Sequence, residues 1–326
     1  MQKKLLTKKS LTISILNQGL TSGITFLLGV YFARELTPHE FGYYGIALAA
    51  TFLYASFFGA LFTTQMVVNI PEKKEADRPE YAAKTLLYIL FINLLTGAAF
   101  FLALTLTGEI WPSSLDTKKL LAITLIASFC YLIKDFYIRY FYSVKSEEKS
   151  LLVNTLLATS TAILIYIYNK NPNQLSALSA LEIYLISNLI AAMTGAIISN
   201  IPLPKINKNT FFIETKEYWI NGKWALGGAS ITWLQSQGYT YITAFFVGPA
   251  GVGQINAAKI LISPVMFIIP AINNITINEL SKLRTIDIKL VAERSKKHLK
   301  LLLAAAALYI AVLFVFFNEI STTALG

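Results

Sequence analysis

The chain has 326 residues, 55% of them hydrophobic and only 14% charged, with a mean hydropathy of +0.56. Soluble domains carry about 25% charged residues, so this composition points away from a soluble enzyme or binding module. The net charge is +10, but the basic residues sit in loops between apolar blocks, which is a topology pattern and excludes nucleic acid as the expected partner. The single Cys130 lies inside an apolar run, so neither a disulfide framework nor a cysteine-held zinc site is expected.

Nine apolar segments follow in order, over approximately 11–32, 43–68, 85–106, 120–141, 151–168, 178–198, 224–247, 254–277 and 299–317. Each is near the ~20 residues that span ~30 Å of hydrocarbon. Inside lipid every backbone group must bond within its own segment, which predicts helices. No alternating barrel strands of about 10 residues are visible. The second and eighth segments are longer, which predicts a tilt or a kink. The basic N-terminus, 1–10, precedes a first run carrying Asn17, Gln18, Thr21 and Ser22. No small-residue cleavage site closes that run, so it reads as a retained helix and not a signal peptide.

Lys and Arg alternate from side to side. Lys3 to Lys9, Lys73 to Lys84, Lys134 to Lys149, Lys205 to Lys223 and Lys282 to Lys300 fall on one face of the membrane. The other face holds only Arg34, Lys118, Lys119 and Lys170. The expected N-terminus is therefore cytoplasmic. The loops on the far side are short and leave no room for an external domain. The stretch 201–222 is the longest polar one; it opens with Pro202 and Pro204 and sets Phe211, Phe212, Ile213, Tyr218 and Trp219 among Lys and Glu. It reads as a short amphipathic helix lying in the interface, a linker between two lobes.

A polar corner, Leu36-Thr-Pro-His-Glu-Phe-Gly42, recurs as Val247-Gly-Pro-Ala-Gly-Val-Gly253 at an offset of 211 residues. At that offset Thr21/Thr232, Ala33/Ala244, Pro38/Pro249, Gly42/Gly253, Ala47/Ala258 and Ala60/Ala271 are identical. Six crossings lie between the first and seventh helices, so the two copies share one orientation, as parallel repeats do. The expected domains are a six-helix lobe at 1–200, the linker at 201–223 and a partial second lobe at 224–326. Two complete lobes would need three further helices, so a truncated chain is expected.

The run Phe26-Leu-Leu-Gly-Val-Tyr-Phe-Ala-Arg-Glu-Leu-Thr-Pro-His-Glu-Phe-Gly-Tyr-Tyr-Gly-Ile-Ala-Leu-Ala49 resembles the N-terminal hairpin of Wzx-type polysaccharide-export flippases. Phe245-Phe-Val-Gly-Pro-Ala-Gly-Val-Gly-Gln-Ile-Asn-Ala-Ala-Lys-Ile-Leu261 resembles the start of their second lobe. Arg139-Tyr-Phe-Tyr-Ser-Val-Lys-Ser-Glu-Glu-Lys149 resembles the cytoplasmic end of their fourth helix. These flippases belong to the multidrug/oligosaccharidyl-lipid/polysaccharide exporter superfamily. The resemblance implies an all-α, MATE-like fold with two lobes that rock between inward-open and outward-open states. It implies translocation of polyprenyl-pyrophosphate-linked oligosaccharide across a bacterial inner membrane. The implied partners are that lipid-linked sugar, membrane lipids and other polysaccharide-assembly proteins, with no cofactor and no metal.

Six residues are candidates for substrate contact: Lys259, Asn256, Arg34, Arg139, Gln18 and Gln237. Lys259 sits about six residues into the eighth segment, ~9 Å deep at 1.5 Å per residue. With Asn256 and Ser263 it forms one polar face. Two roles are open to it: attracting a pyrophosphate, or snorkelling to the nearby interface. Pro264 and Pro270 in the same segment are candidates for a gating kink, or for an ordinary membrane proline bend. Gln18, Thr21, Ser22 and Thr25 make a stripe on the first helix, and Ser230, Gln237 and Tyr241 make one on the seventh. These can line a path for sugar hydroxyls or serve polar helix packing. Arg34 is placed to meet a phosphate or to anchor at headgroups. Lys134, Asp135 and Arg139 lie toward the inner end of the fourth helix, where Asp135 and Arg139 are i, i+4 and can pair or capture an anionic headgroup.

Two other functions are weighed. A drug or cation antiporter of the same superfamily would favour buried carboxylates, and the apolar segments carry only Asp135 and Glu182, both near ends. A membrane enzyme of polysaccharide synthesis would need a metal or acid–base constellation. No paired Asp motif occurs, His39 and His298 fall on opposite sides of the membrane, and no phosphate-binding GxxxxGK[ST] loop is present. No catalytic residue is therefore expected.

Overall fold

The computed structural model describes residues 8–106, 115–170, 175–202 and 208–263, with scattered positions between 295 and 315. Among them every regular element is helical and no strand occurs. The helices are α1 (Lys8–Glu35), α2 (Pro38–Phe58), α3 (Thr64–Asn69), α4 (Arg78–Leu106), α5 (Leu115–Ser143), α6 (Glu147–Asn169), α7 (Ala177–Ser199) and α8 (Lys208–Phe246). A further helix, α9, covers residues 249–263.

Six spans among the described residues are long and apolar enough to cross a membrane: Thr12–Glu35, Pro38–Glu72, Glu75–Ala103, Thr117–Ser143, Glu147–Asn169 and Ala177–Ser199. They coincide with the first six expected segments. The seventh lies within α8, which is not one of the six. The eighth is described only as far as Ser263, and most of the ninth lies outside the described residues. The second span is not one regular α-helix. A π-helical turn, Gly59–Thr63, separates α2 from α3, and such bulges deflect a helix axis.

The described part of the expected linker 201–223, from Lys208 on, is helical. It is the first part of α8, which runs unbroken for 39 residues. The prolines that prompted the break, Pro202 and Pro204, lie before Lys208, and nothing between Lys208 and Phe246 lacks a backbone donor. The polar and apolar halves therefore continue as one rod.

The described chain divides into two compact units, one of residues 1–21 with 38–253, the other of 22–37 with 254–326. The first is apolar outside and partly polar inside. Leu94, Phe101 and Ile197 are 71%, 69% and 77% exposed, whereas Asn17, Thr51, Ser128 and Asn154 are buried. That distribution suits a hydrocarbon surrounding, where apolar side chains need no cover and polar ones must find partners. Its core gathers Phe62, Met66, Ile70, Tyr88, Ile89, Leu132, Phe136, Tyr140 and Phe141.

The most extensive helix pair in this unit is α5 with α7. The cause is a face of small residues on α7: Ala180, Ser187, Ala191, Ala192 and Gly195 are all buried. Small side chains let helix backbones approach, which is the main attraction available in lipid. A side chain on Gly195 would collide with Tyr137 of α5, starting 2.7 Å away. α7 begins with a reciprocal cap, in which Ser176 and Ser179 bond each other's backbone N–H groups. Its first N–H, at Ala177, is met by the Glu40 carboxylate at 2.6 Å. A negative charge there is favoured by the helix dipole.

α2 also packs along α8. The Trp233 indole N–H donates to the Ala49 carbonyl at 3.0 Å, and the Tyr241 hydroxyl points to the Ile46 carbonyl at 3.5 Å. At the end of this pair the two Pro-x-x-x-Gly corners meet. Pro38 and Pro249 each open a helix, the position where a missing N–H costs least. A side chain on Gly42 would run into the Pro249 carbonyl, and one on Gly253 into the Pro38 carbonyl. Both glycines are buried. The two helix starts thus cross backbone to backbone, each filling the other's bare face.

In the second unit, residues 22–37 of α1 meet α9 at Gly29, where an added Cβ would lie only 3.2 Å from the Ile260 side chain. The Tyr309 hydroxyl donates to the Leu261 carbonyl at 2.6 Å.

Candidate functional site

The chemistry of the first unit concentrates on α5, the helix most enclosed by others. Thr124 and Ser128 turn their hydroxyls back to the carbonyls four residues earlier, Leu120 and Thr124. Ser128 also donates to Thr51 of α2 at 3.1 Å. One turn further, Tyr131 meets Phe52 edge-on at 5.7 Å and stacks against Tyr184 of α7 at 6.3 Å. Lys134 follows at i+3 from that tyrosine. Its side chain is only 6% exposed, and its ammonium lies 4.2 Å from the Tyr131 ring centroid.

This lysine stands nine residues before the end of the span Thr117–Ser143, about 13 Å along the helix axis at 1.5 Å per residue. The span's 27 residues exceed a bilayer core, so this position lies inside the span toward its Ser143 end. A cation held there is costly and faces a cavity or a partner. The tyrosine face supplies part of the compensation, since a desolvated ammonium–aromatic contact contributes up to about 2 kcal/mol. The next residue, Asp135, is engaged by Arg139, whose Nε donates to its carboxylate at 2.6 Å. The ion pair expected from the i, i+4 spacing is therefore present.

On α7, whose Tyr184 ring stacks on Tyr131, the Tyr184 hydroxyl lies within reach of the Asn188 side chain, and the buried Ser187 Oγ has no hydrogen-bond partner. Buried polar groups are normally paired. Polar groups such as these, buried on one helix, remain able to accept or donate further hydrogen bonds.

The sequence-derived candidates distribute as follows. Arg139 is half-exposed and paired with Asp135. Gln18 is exposed on α1, and Gln237 half-buried on α8. The stripe around Gln18 is largely explained by local bonding, for Thr21 donates to the Asn17 carbonyl at 2.7 Å, as Ser230 does to Leu226 at 2.8 Å. The buried polar residue of that stripe is its neighbour Asn17. It donates to Tyr142 and Ser150 at 2.7 and 3.0 Å and accepts from Asn154 at 2.7 Å, tying α1, α5 and α6 together. In the other unit, Asn256, Lys259 and Ser263 are all half-buried on α9, and Arg34 is exposed in the last turn of α1. Pro264 and Pro270 lie outside the described residues. Lys134 was legible only as part of a charged trio; its enclosure had a signal in the Tyr131–Lys134 spacing, which brings ring and ammonium onto one face.

With six bilayer-length apolar helices among the described residues and a lysine enclosed on one of them, the chain is a multi-pass membrane protein. Residues 7–277 match the model of the polysaccharide biosynthesis protein family, and the chain belongs to that family, which includes the Wzx-type flippases. The family is generally one of transporters and flippases, so a polysaccharide-related membrane transporter is the class in question. No curated protein and no solved structure matches the chain.

Proposed function

We propose that the chain translocates a polyprenyl-pyrophosphate-linked oligosaccharide from the cytoplasmic to the outer leaflet of a bacterial inner membrane by alternating access. Membership of the polysaccharide biosynthesis family carries the reading. The reciprocal seating of Gly42 on Pro249 and Gly253 on Pro38 supports it, because it is the contact expected of two parallel copies of one hairpin. In this reading 1–200 is a six-helix lobe, 201–223 leads out of it, and 224–326 belongs to the second lobe of a nine-helix, MATE-like arrangement. The N-terminus is cytoplasmic and the two corners lie on the outer side, where their contact closes the path.

The substrate is an anion, and the candidate contacts are basic: the enclosed Lys134, with Lys259, Arg139 and Arg34. Asn256, Gln18 and Gln237 supply amides for sugar hydroxyls. Cation export would call for available carboxylates. Asp135 is paired with Arg139, and Glu182 accepts from the Tyr168 hydroxyl at 2.7 Å. No enzymatic step is assigned. The test is expression in a bacterial strain lacking its own repeat-unit flippase. Restored surface polysaccharide is the expected outcome. Persistent accumulation of the lipid-linked unit inside, despite normal membrane levels of the protein, would overturn the reading.

A further inference from the structure

A polar recess of about 230 Å³ opens where the second and third spans turn around, between Glu72 and Glu75. Gln65, Asn69 and Lys73 form one wall, Tyr81 and Lys84 a second, and Tyr218 and Asn221 of α8 the third. None of these is a carboxylate, although Glu72, Glu75, Asp77 and Glu80 are close in sequence. We infer that this recess binds the phosphate of a headgroup at the membrane surface.

The walls are held in place before any ligand arrives. Asn69 donates to the Tyr81 hydroxyl at 2.9 Å, and Tyr218 shares a 2.8 Å hydrogen bond with buried Thr85. Lys73 rests its ammonium over the Tyr81 ring, 4.8 Å from the centroid. Lys84 lies 3.9 Å from Glu80, but that carboxylate is 67% exposed. A long contact on an exposed partner contributes little. Two ammonium groups, amides and phenols around one hollow match the acceptor-rich surface of a phosphate. The volume is below the range of drug-sized pockets, which suits a headgroup and not an oligosaccharide. The level is right as well, because the recess lies at the span ends, in the polar headgroup zone that flanks the hydrocarbon core.

The inference does not depend on transport or on orientation. Phosphate can arrive here on a phospholipid or on a soluble pyrophosphate, and the test separates them. The full chain is reconstituted in phosphatidylcholine nanodiscs, and binding of a fluorescent phosphatidic acid is titrated. Lys73→Gln with Lys84→Gln is expected to weaken binding at least tenfold, while Lys73→Arg with Lys84→Arg retains it. Asn221→Glu, at an exposed position, places a carboxylate at the rim without touching either lysine and is expected to weaken binding comparably; it covers the case in which the double variant fails to fold. Displacement of the lipid by inorganic pyrophosphate would show that phosphate alone is recognised. Failure of pyrophosphate to compete, with the lysine effect intact, would assign the site to a lipid headgroup. Binding within twofold of the parent in both the Gln double variant and Asn221→Glu would overturn the inference.

Discussion

Gly42 and Gly253 stand in the same relation to each other's corner: the Pro249 carbonyl occupies the bare face of the first, and the Pro38 carbonyl that of the second. Alanine at either position forces two backbones apart. Overpacking of this kind costs about 1–3 kcal/mol. Gly42→Ala and Gly253→Ala should therefore lower the thermal unfolding midpoint in detergent, and by similar amounts. Gly227 and Gly228 of α8 have nothing within 4 Å. Alanine there should leave the midpoint unchanged or raise it, since glycine in a helix is disfavoured by roughly 0.5–1 kcal/mol. Equal effects at all four sites would rule out a specific corner contact.

Asn17 and Gln18 are adjacent polar residues with opposite roles. Asn17 bonds three residues on two other helices. Asn17→Ala leaves buried partners unmet, and a loss of about 1–2 kcal/mol is expected. Gln18→Ala, on an exposed face, should stay within about 0.5 kcal/mol. Thermal shift assays on the two purified variants distinguish them; the reverse order would refute the assignment of Asn17 to packing.

Lys134 tests whether the enclosed cluster serves transport. Lys134→Met keeps the length of the side chain and removes a buried charge, so the fold should be retained or strengthened. Export of surface polysaccharide should nonetheless fall by about tenfold, the change that about 1.4 kcal/mol of substrate interaction produces. Arg139→Gln should have a smaller effect on export, because Arg139 already spends its charge on Asp135. Full export by Lys134→Met at normal protein level would make Lys134 a structural residue only.

Glu40 ties the first corner to the start of α7. Glu40→Ala removes the acceptor of the Ala177 N–H, a loss of capping expected to cost about 0.5–2 kcal/mol. Hydrogen exchange of the peptide covering residues 176–182 should speed up, with α5 unaffected. Unchanged exchange there would mean that the serine cap alone holds this end.

Much of this architecture is written in local pattern. Six spans and the Asp135–Arg139 pair follow from run length and i, i+4 spacing, which are properties of one helix. The duplicated corners were visible as Pro38/Pro249 and Gly42/Gly253, but their mutual contact was not, because an offset in sequence carries no distance in space. The continuity of α8 was hidden by composition: Tyr218 and Trp219 sit among charges, yet no proline interrupts the helix between Lys208 and Phe246. The enclosure of Lys134 depends on which face of α5 meets α7, and that is fixed by the small residues of α7, far along the chain. The recess was least legible of all. Its residues come from 65–84 and 218–221, and each alone is an ordinary polar side chain near a helix end.

The packing of α2 on α8 has a consequence for biogenesis. Ala49 receives its indole partner from a residue 184 positions later. At synthesis rates of about 5–20 residues per second, α2 waits roughly 10–40 seconds in the bilayer before Trp233 emerges. During that interval the face that will hold α8 is turned toward lipid, or toward whatever insertion factor shields it. Nascent chains halted before α8 should therefore be the ones most vulnerable to membrane proteases, and a supply of α8 as a separate segment should protect them.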